Sequence, residues 1–335
     1  MKFGITGFGK MGILHGALLN SMDGVELSAI CDSSKTVVKA FGKLKPNVAC
    51  FVDYKKMIDT SDIDAVIVST PTFLHAPIAQ YAAQKKLHVF LEKPLALNTE
   101  EGKGIKKVVS DNNTKLMVGF SLRYNPSCMM AKQAIASGEI GQITQVRVEA
   151  FLSDVMREEK GWRFKKALSG GGVVIDFTIH AIDFLVWLLG PIAKLEASAR
   201  SIVSREVEDE VQCDVTFENG ALAQLKSSWS NPSYRKSYFR VVLEGSKGTI
   251  DVTDQTIETI RDDGEKKKLY YPNLYDGYYI DIAGANFSSQ MLDFKQYCMG
   301  EKTIETDIDA ALYVQHIIDG IYTSAANNNI FYPQS

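Results

Sequence analysis

The chain has 335 residues, 45% hydrophobic and 23% charged, which is longer than one small core needs and points to two domains. A net charge of -3 supplies no general field for nucleic acid or an anionic membrane surface, so neither is expected as a partner. Cys31, Cys50, Cys128, Cys213 and Cys298 are odd in number and show no CxxC or other ligand spacing, so neither a disulfide framework nor a zinc site is indicated. They read as reduced core residues of a cytoplasmic protein. Met1-Lys2-Phe3-Gly4-Ile5-Thr6 has no basic region before a long apolar run, so no signal peptide is expected. The longest apolar patch, around Phe184 to Leu189, is too short to span a bilayer.

Phe3 to Thr6 predict a short strand, followed by Gly7-Phe8-Gly9-Lys10-Met11-Gly12 and a helical pattern through Leu19. This is GxGxxG in the strand-turn-helix context that a dinucleotide site requires. The glycines permit a tight turn and close backbone approach to a pyrophosphate, and the helix amino terminus supplies positive potential. A second strand, Val25 to Cys31, ends at Asp32, twenty residues after Gly12. An acid there accepts hydrogen bonds from ribose hydroxyls and repels a 2′-phosphate, which favours NAD over NADP. Ser33, Ser34 and Lys35 follow it and can soften that discrimination.

The alternation continues with a helix from Lys35 to Gly42, a strand near Val48 to Phe51 and the fully apolar strand Ala65-Val66-Ile67-Val68. Ser69-Thr70-Pro71 closes that strand with small residues suited to a cofactor ribose, and His75 faces either the cofactor or solvent. A helix over Ala76 to Lys85 leads into Leu87-His88-Val89-Phe90-Leu91-Glu92-Lys93-Pro94. Pro94 forces the strand to stop, so Lys93 is delivered at the carboxyl end of a buried strand, where open α/β sheets bind ligands. A helix opens at Asn98-Thr99-Glu100-Glu101, and Lys115 to Phe120 make a sixth strand. Residues 1–122 therefore predict a doubly wound, parallel Rossmann domain.

Residues 123–335 predict a substrate-binding and oligomerisation α+β domain with a large open, mostly antiparallel sheet, its strands starting near Ile143, Leu195, Val211, Ala221, Tyr238, Thr249 and Ile257, and with a C-terminal helix that can pack back on the first domain. Helices are expected at Asn125 to Ser137, Phe287 to Met299 and Asp307 to Ala326. Within this half, Ser169-Gly170-Gly171-Gly172 opens an almost wholly apolar helix carrying Asp176, His180, Asp183 and Trp187. Their helical spacing places all four on one stripe. Unpaired buried charge is costly, so the stripe lines a cavity or is paired internally. Asp176 and His180 are the functional candidates, and Asp183 and Trp187 are packing residues.

Taken together, GFGKMG with Asp32, Ser69-Thr70-Pro71 with His75, Glu92-Lys93-Pro94, Gly119-Phe120 with Arg123 and Pro126, Trp162-Arg163 before the glycine triplet, and Asp176 with His180 resemble the glucose-fructose oxidoreductase/inositol dehydrogenase (Gfo/Idh/MocA) family. The resemblance covers nearly the whole chain. It implies NAD(P)-dependent chemistry on sugars or cyclitols, and a homodimer or homotetramer formed through the carboxyl-terminal sheet. By similarity, Lys93, Asp176 and His180 occupy catalytic positions and, with Tyr124, bind substrate. Gly7, Phe8, Gly9, Lys10, Met11, Gly12, Asp32, Ser33, Ser69, Thr70, Pro71, His75, Glu92, Lys93, Arg123, Trp162 and Arg163 are the residues expected around the cofactor. No metal is expected. One departure is Lys86, where the family commonly has glycine; a lysine in a left-handed cap costs roughly 1 kcal/mol, so a different cap is expected there.

Residue chemistry completes the expectation. His180 is a general base oriented by Asp176, and Lys93 polarises the reacting oxygen. Specificity is expected from Leu152 to Lys166, Asn231 to Lys236 and Asn273 to Asn286. Two alternatives share these features, a glycoside hydrolase that retains NAD and a non-catalytic nucleotide-sensing regulator. The retained Lys93, Asp176 and His180 argue against the second.

Overall fold

The computed structural model describes residues 1–157, 160–270 and 285–333, so most of the expected specificity stretch 273–286 lies outside the described residues. The chain divides into two compact units, Met1–Phe120 with Ile280–Tyr313, and Ser121–Tyr279 with Val314–Ser335. Residues 285–313 thus belong to the first unit, beyond the cut expected after residue 122. The reason is apolar: Phe294 is fully buried, its ring centroid 6.1 Å from Phe3 and 5.5 Å from Phe90. The cores of β1 and β5 need that cover.

In the first unit, β1 (Lys2–Thr6), β2 (Glu26–Cys31), β3 (Ala49–Phe51), β4 (Ala65–Val68), β5 (His88–Leu91) and β6 (Leu116–Val118) form one sheet in the order β3-β2-β1-β4-β5-β6. Every adjacent pair is parallel. Residues 65 to 68 are all 0% exposed, which explains a strand with no polar alternation: both faces are covered. Strand order reverses between β1 and β4, and that switch point is where a doubly wound sheet opens a crevice. The intervening helices are α1 (Lys10–Ser21), α2 (Lys35–Leu44), α3 (Tyr54–Thr60), α4 (His75–Gln84) and α5 (Thr99–Asp111). Helix α3 went unread in the sequence, although Asp53 caps it by accepting from Lys55 and Lys56.

Helix α4 ends in the left-handed cap after all. Lys86 has φ +64°, its N–H donates to the Ala83 carbonyl at 2.9 Å, and the Leu87 N–H donates to Ala82 at 3.0 Å. That pair of bonds is a Schellman motif built on lysine instead of glycine. The Lys86 ammonium donates to the Asn112 carbonyl at 3.2 Å, and this helps hold the strained residue in place.

The second unit holds α6 (Pro126–Ala136), β7 (Ile143–Phe151), the short α7 (Lys166–Ser169), a π-turn (Val174–Thr178), α8 (Ile179–Leu189), β8 (Ile192–Arg200), β9 (Glu210–Phe217), β10 (Leu222–Ser228), β11 (Tyr238–Gly245), β12 (Gly248–Thr253), β13 (Thr256–Arg261) and β14 (Lys266–Tyr270). The sheet order is β14-β13-β12-β11-β7-β10-β9-β8, antiparallel except between β7 and β10. β14 escaped the sequence reading because its lysine run is an edge-strand composition and not a core one. The helical segment Lys166–Leu189 corrects the bilayer estimate: at 24 residues it is long and apolar enough to cross a membrane. In this fold it is a core helix, with 72% of its most apolar window buried. Helices α9 (Ala285–Met299) and α10 (Ile308–Asn327) complete the chain.

Candidate active site

The nucleotide side is built around the turn after β1. Gly7 has φ +80°, and a Cβ there would lie 2.6 Å from the Ser69 carbonyl; one on Gly12 would strike the Gly7 carbonyl. Gly9 by contrast meets nothing within 4 Å, which leaves its backbone open to an incoming group. It precedes α1, whose amino terminus carries no side-chain cap, so the first amides of the helix remain to receive an anion. The Ser69 hydroxyl donates to the Gly7 carbonyl at 2.8 Å and ties the turn after β4 to the glycine turn.

Asp32 stands half-buried at the end of β2, accepting from the Phe8 N–H and the Ser34 N–H, each at 2.8 Å. A carboxylate has about four acceptor sites, so capacity for ribose hydroxyls remains. The Phe8 side chain is buried edge-on against Phe41, which leaves the glycine turn to its backbone. Lys10 and Ser33 are exposed, and Met11, Thr70 and Pro71 are half-buried. These features fit a dinucleotide: an open glycine, uncapped amides and an acid at the second strand.

His75 is an internal tie. It is 1% exposed, with Nδ1 2.7 Å from the Pro94 carbonyl and Nε2 3.0 Å from the Thr70 carbonyl. Burial lowers its pKa, and the two carbonyls offset that only in part. Its ring thus joins the turns that follow β4 and β5. The Lys93–Pro94 peptide is cis, and Lys93 is half-buried.

Glu92 is buried, and His15 on α1 places Nε2 2.7 Å from its carboxylate. The other His15 nitrogen, Nδ1, is buried with no hydrogen-bond partner among the described residues, so Nε2 carries the contact of the ring with the carboxylate. Burial alone would raise the Glu92 pKa, but the His15 hydrogen bond and the neighbouring charge of Lys93 outweigh it and hold the carboxyl below its ordinary range. A Cβ on Gly119 would lie 3.2 Å from Glu92 Oε2, which accounts for the glycine of Gly119-Phe120.

In the second unit the charged residues of the core helix find partners. Asp183 is 1% exposed and Arg123 is 8% exposed; Arg123 Nη2 donates to Asp183 at 2.6 Å and Nε at 3.1 Å. Burial raises the Asp183 pKa even against the arginine charge. Asp183 is therefore half of a buried ion pair and not a packing residue. Asp176 accepts from Arg163 Nη2 at 2.6 Å, while Arg163 Nη1 reaches Asp154 at 3.0 Å and the guanidinium lies 5.5 Å from the Trp229 ring centroid.

The single stripe breaks at Asp176, while His180, Asp183 and Trp187 remain together on α8. The Ile179 N–H bonds to the Val174 carbonyl five residues back, so a π-turn over Val174–Thr178 inserts a residue and rotates α8 by about 100° against a continuous α-helix. Asp176 lies inside that turn and His180 is the second residue of α8; both are half-buried, as are Trp187, Tyr124 and Trp162. The sequence reading missed His15, Glu208 and Tyr322, whereas Asp154 falls within the stretch Leu152 to Lys166 expected to set specificity. Only His15, on the helix that opens with the glycine fingerprint, stood close enough to a recognised motif to be found.

Residues 1–120 match the family profile described as "Oxidoreductase family, NAD-binding Rossmann fold", and residues 128–251 match the "GFO/IDH/MocA C-terminal domain". Inositol 2-dehydrogenase of Rhizobium meliloti (strain 1021) is 30% identical over 285 residues, 82% of each chain. The chain belongs to the GFO/IDH/MocA family. As a member it is an NAD-binding oxidoreductase. The scyllo-inositol 2-dehydrogenase (NAD(+)) of Bacillus subtilis (strain 168) is 26% identical over 257 residues, covering 75% of this GFO/IDH/MocA chain and 73% of that one. A solved structure of levoglucosan dehydrogenase in complex with NADH matches with a TM-score of 0.89 at 23% identity, over 100% of both chains, which shows a shared fold.

Proposed function

We propose that this enzyme oxidises a ring hydroxyl of a sugar, sugar derivative or inositol with NAD, and reduces the ketone in the reverse direction. The reading is supported by membership of this family together with the places of the three residues that the family resemblance makes catalytic. Lys93 follows a buried parallel strand, and Asp176 and His180 sit where a π-turn enters a buried helix. NAD, when bound, supplies the hydride acceptor. His180 takes the proton of the substrate hydroxyl as general base, and Lys93 stabilises the developing alkoxide charge. Asp176, gripped by Arg163, orients the base, and Tyr124 contacts the substrate.

The relatives named for inositol and levoglucosan oxidation support this substrate class, and Asp32 supports NAD over NADP. We also infer a homodimer or homotetramer through the sheet of the second unit, and residence in the cytoplasm. The alternating burial of β8 to β10 supports the first, since it leaves one face for a partner; the unpaired cysteines support the second.

The test is absorbance at the NADH band with NAD or NADP and a panel of myo-inositol, scyllo-inositol, levoglucosan, aldoses, uronic acids and nucleotide sugars. Reduced NAD with one class, and far less with NADP, is the expected result. Silence across the panel, with NAD retained by the purified protein, overturns the dehydrogenase and favours the hydrolase or the sensor.

A further inference from the structure

The glycine triplet before the core helix has no role yet in the chemistry. Its neighbours explain it. Glu208 Oε1 accepts from the Gly172 N–H and the Val174 N–H at 2.9 Å each, and the Glu208 backbone carbonyl accepts from the Val173 N–H at 3.0 Å. One residue, far away in sequence, thus satisfies three successive amides at the start of the helix. Those are the groups that a helix terminus leaves without partners, and a carboxylate is the charge that its dipole favours.

A second group grips the same oxygen. The Tyr322 hydroxyl, from α10, donates to Glu208 Oε1 at 2.9 Å, and Lys166 of α7 lies 5.9 Å from the Tyr322 ring centroid. Burial, with the adjacent Glu208, pushes the Tyr322 pKa well above its ordinary value, so the hydroxyl stays a donor at working pH. A Cβ on Gly171 would collide with the Tyr322 hydroxyl, and one on Gly172 with the Glu208 carbonyl. The glycines are there to let the tyrosine and the glutamate reach the helix end.

Directly after the held amides comes the π-turn with Asp176, and His180 lies one turn further along. A π-turn is a single-turn irregularity inside an α-helix, so the azimuth of the residues beyond it depends on where the turn sits. We propose that Glu208 and Tyr322 are positioning residues: they clamp the amino terminus of the core helix, fix the place of the π-turn, and so aim Asp176 and His180. The function of the clamp rests on the catalytic reading of those two residues; its existence as a clamp does not.

The full-length protein and its E208A, E208Q and Y322F variants test this through hydrogen–deuterium exchange over residues 170–180 and through kcat and KM with NAD and myo-inositol. In E208A, exchange in that segment rises at least tenfold with the remainder unchanged. The kcat falls ten- to a hundredfold while KM for NAD stays within twofold. Glutamine keeps an acceptor oxygen, so E208Q recovers most of both, and Y322F lies between. Unchanged exchange in E208A overturns the clamp. Loss of kcat in parallel with NAD affinity and Tm overturns the positioning role, because that pattern is loss of fold. An H180N variant that keeps full kcat, or a wild type that turns over no myo-inositol, sinks the catalytic or substrate reading instead and leaves the exchange result to decide the clamp.

Discussion

Asp32 and Glu92 are both carboxylates at the ends of parallel strands, yet their surroundings give them different work. Asp32 is half-buried and bonded to backbone amides, so its charge is available to a ribose and hostile to a 2′-phosphate. Asp32→Ala is expected to lower the NAD-over-NADP ratio of kcat/KM by about 10- to 100-fold, corresponding to about 1.4–2.8 kcal/mol. Steady-state kinetics with both cofactors measures it. Glu92 is a buried charge whose partner is His15. His15→Ala leaves that carboxylate without its donor and opens a cavity, at a cost of about 2–4 kcal/mol in urea unfolding. The sign of its pH dependence follows from the lowered pKa. In the wild type the pair contributes stability above the unfolded value of about 4.3, and that contribution is lost as pH falls through the lower folded value. In His15→Ala burial dominates and raises the folded value, so the penalty grows as pH rises above about 4.3 and shrinks in acid. Unfolding curves from pH 3 to 8 are expected to converge at the acid end; parallel curves would remove His15 from the account.

At the scale of elements, two helix termini depart from their ordinary chemistry. The carboxyl end of α4 uses a lysine at φ +64° where glycine costs least. Lys86→Gly relieves the left-handed strain but gives up the ammonium contact with Asn112 and adds backbone entropy to the unfolded chain. A net gain of about 0.5–1 kcal/mol in unfolding free energy is expected. A loss would show that the contact outweighs the strain. The buried core helix departs by its π-turn, which shifts Asp176 out of register with His180, Asp183 and Trp187, the residues that follow it on α8. Asp183 turns into the core against Arg123, while Asp176 and His180 stay half-buried. Reading this helix as one uninterrupted α-helical stripe fails at Asp176, while His180, Asp183 and Trp187 keep their helical spacing.

At the scale of the molecule, each unit's core is completed by chain that arrives late. Met291 and Phe294 are fully buried, and the Phe294 ring packs against Phe3 of β1 and Phe90 of β5. A fragment of residues 1–122 lacks that cover and exposes the apolar surface of two large side chains, about 1.5–3 kcal/mol each. It is expected to be poorly soluble and to lack a cooperative thermal transition, whereas the full chain has one. NADH at 100 times its Kd should stabilise the full chain by about 2.7 kcal/mol, read as a rise in Tm. A soluble, cooperatively folding fragment would show that the late segment is dispensable.

The sequence by itself determined the Rossmann sheet, the glycine turn with Asp32, the strand that delivers Lys93, and the family. These come from local rules: strand and helix periodicity, turn chemistry and fixed spacing act over a few residues and can be read in order. What only the tertiary structure decided is which distant groups meet. His15 with Glu92, Arg123 with Asp183, Arg163 with Asp176, and Glu208 and Tyr322 with the glycine triplet are each separated by 13 to 150 residues or so, and no periodicity encodes such pairs. The sequence allows a C-terminal helix to return to the first unit, but that Phe294 is what covers Phe3 and Phe90 there was left to the fold, because an apolar helix states that it must be covered and not by what. Burial forces each charge to find a partner, but the fold chooses the partner.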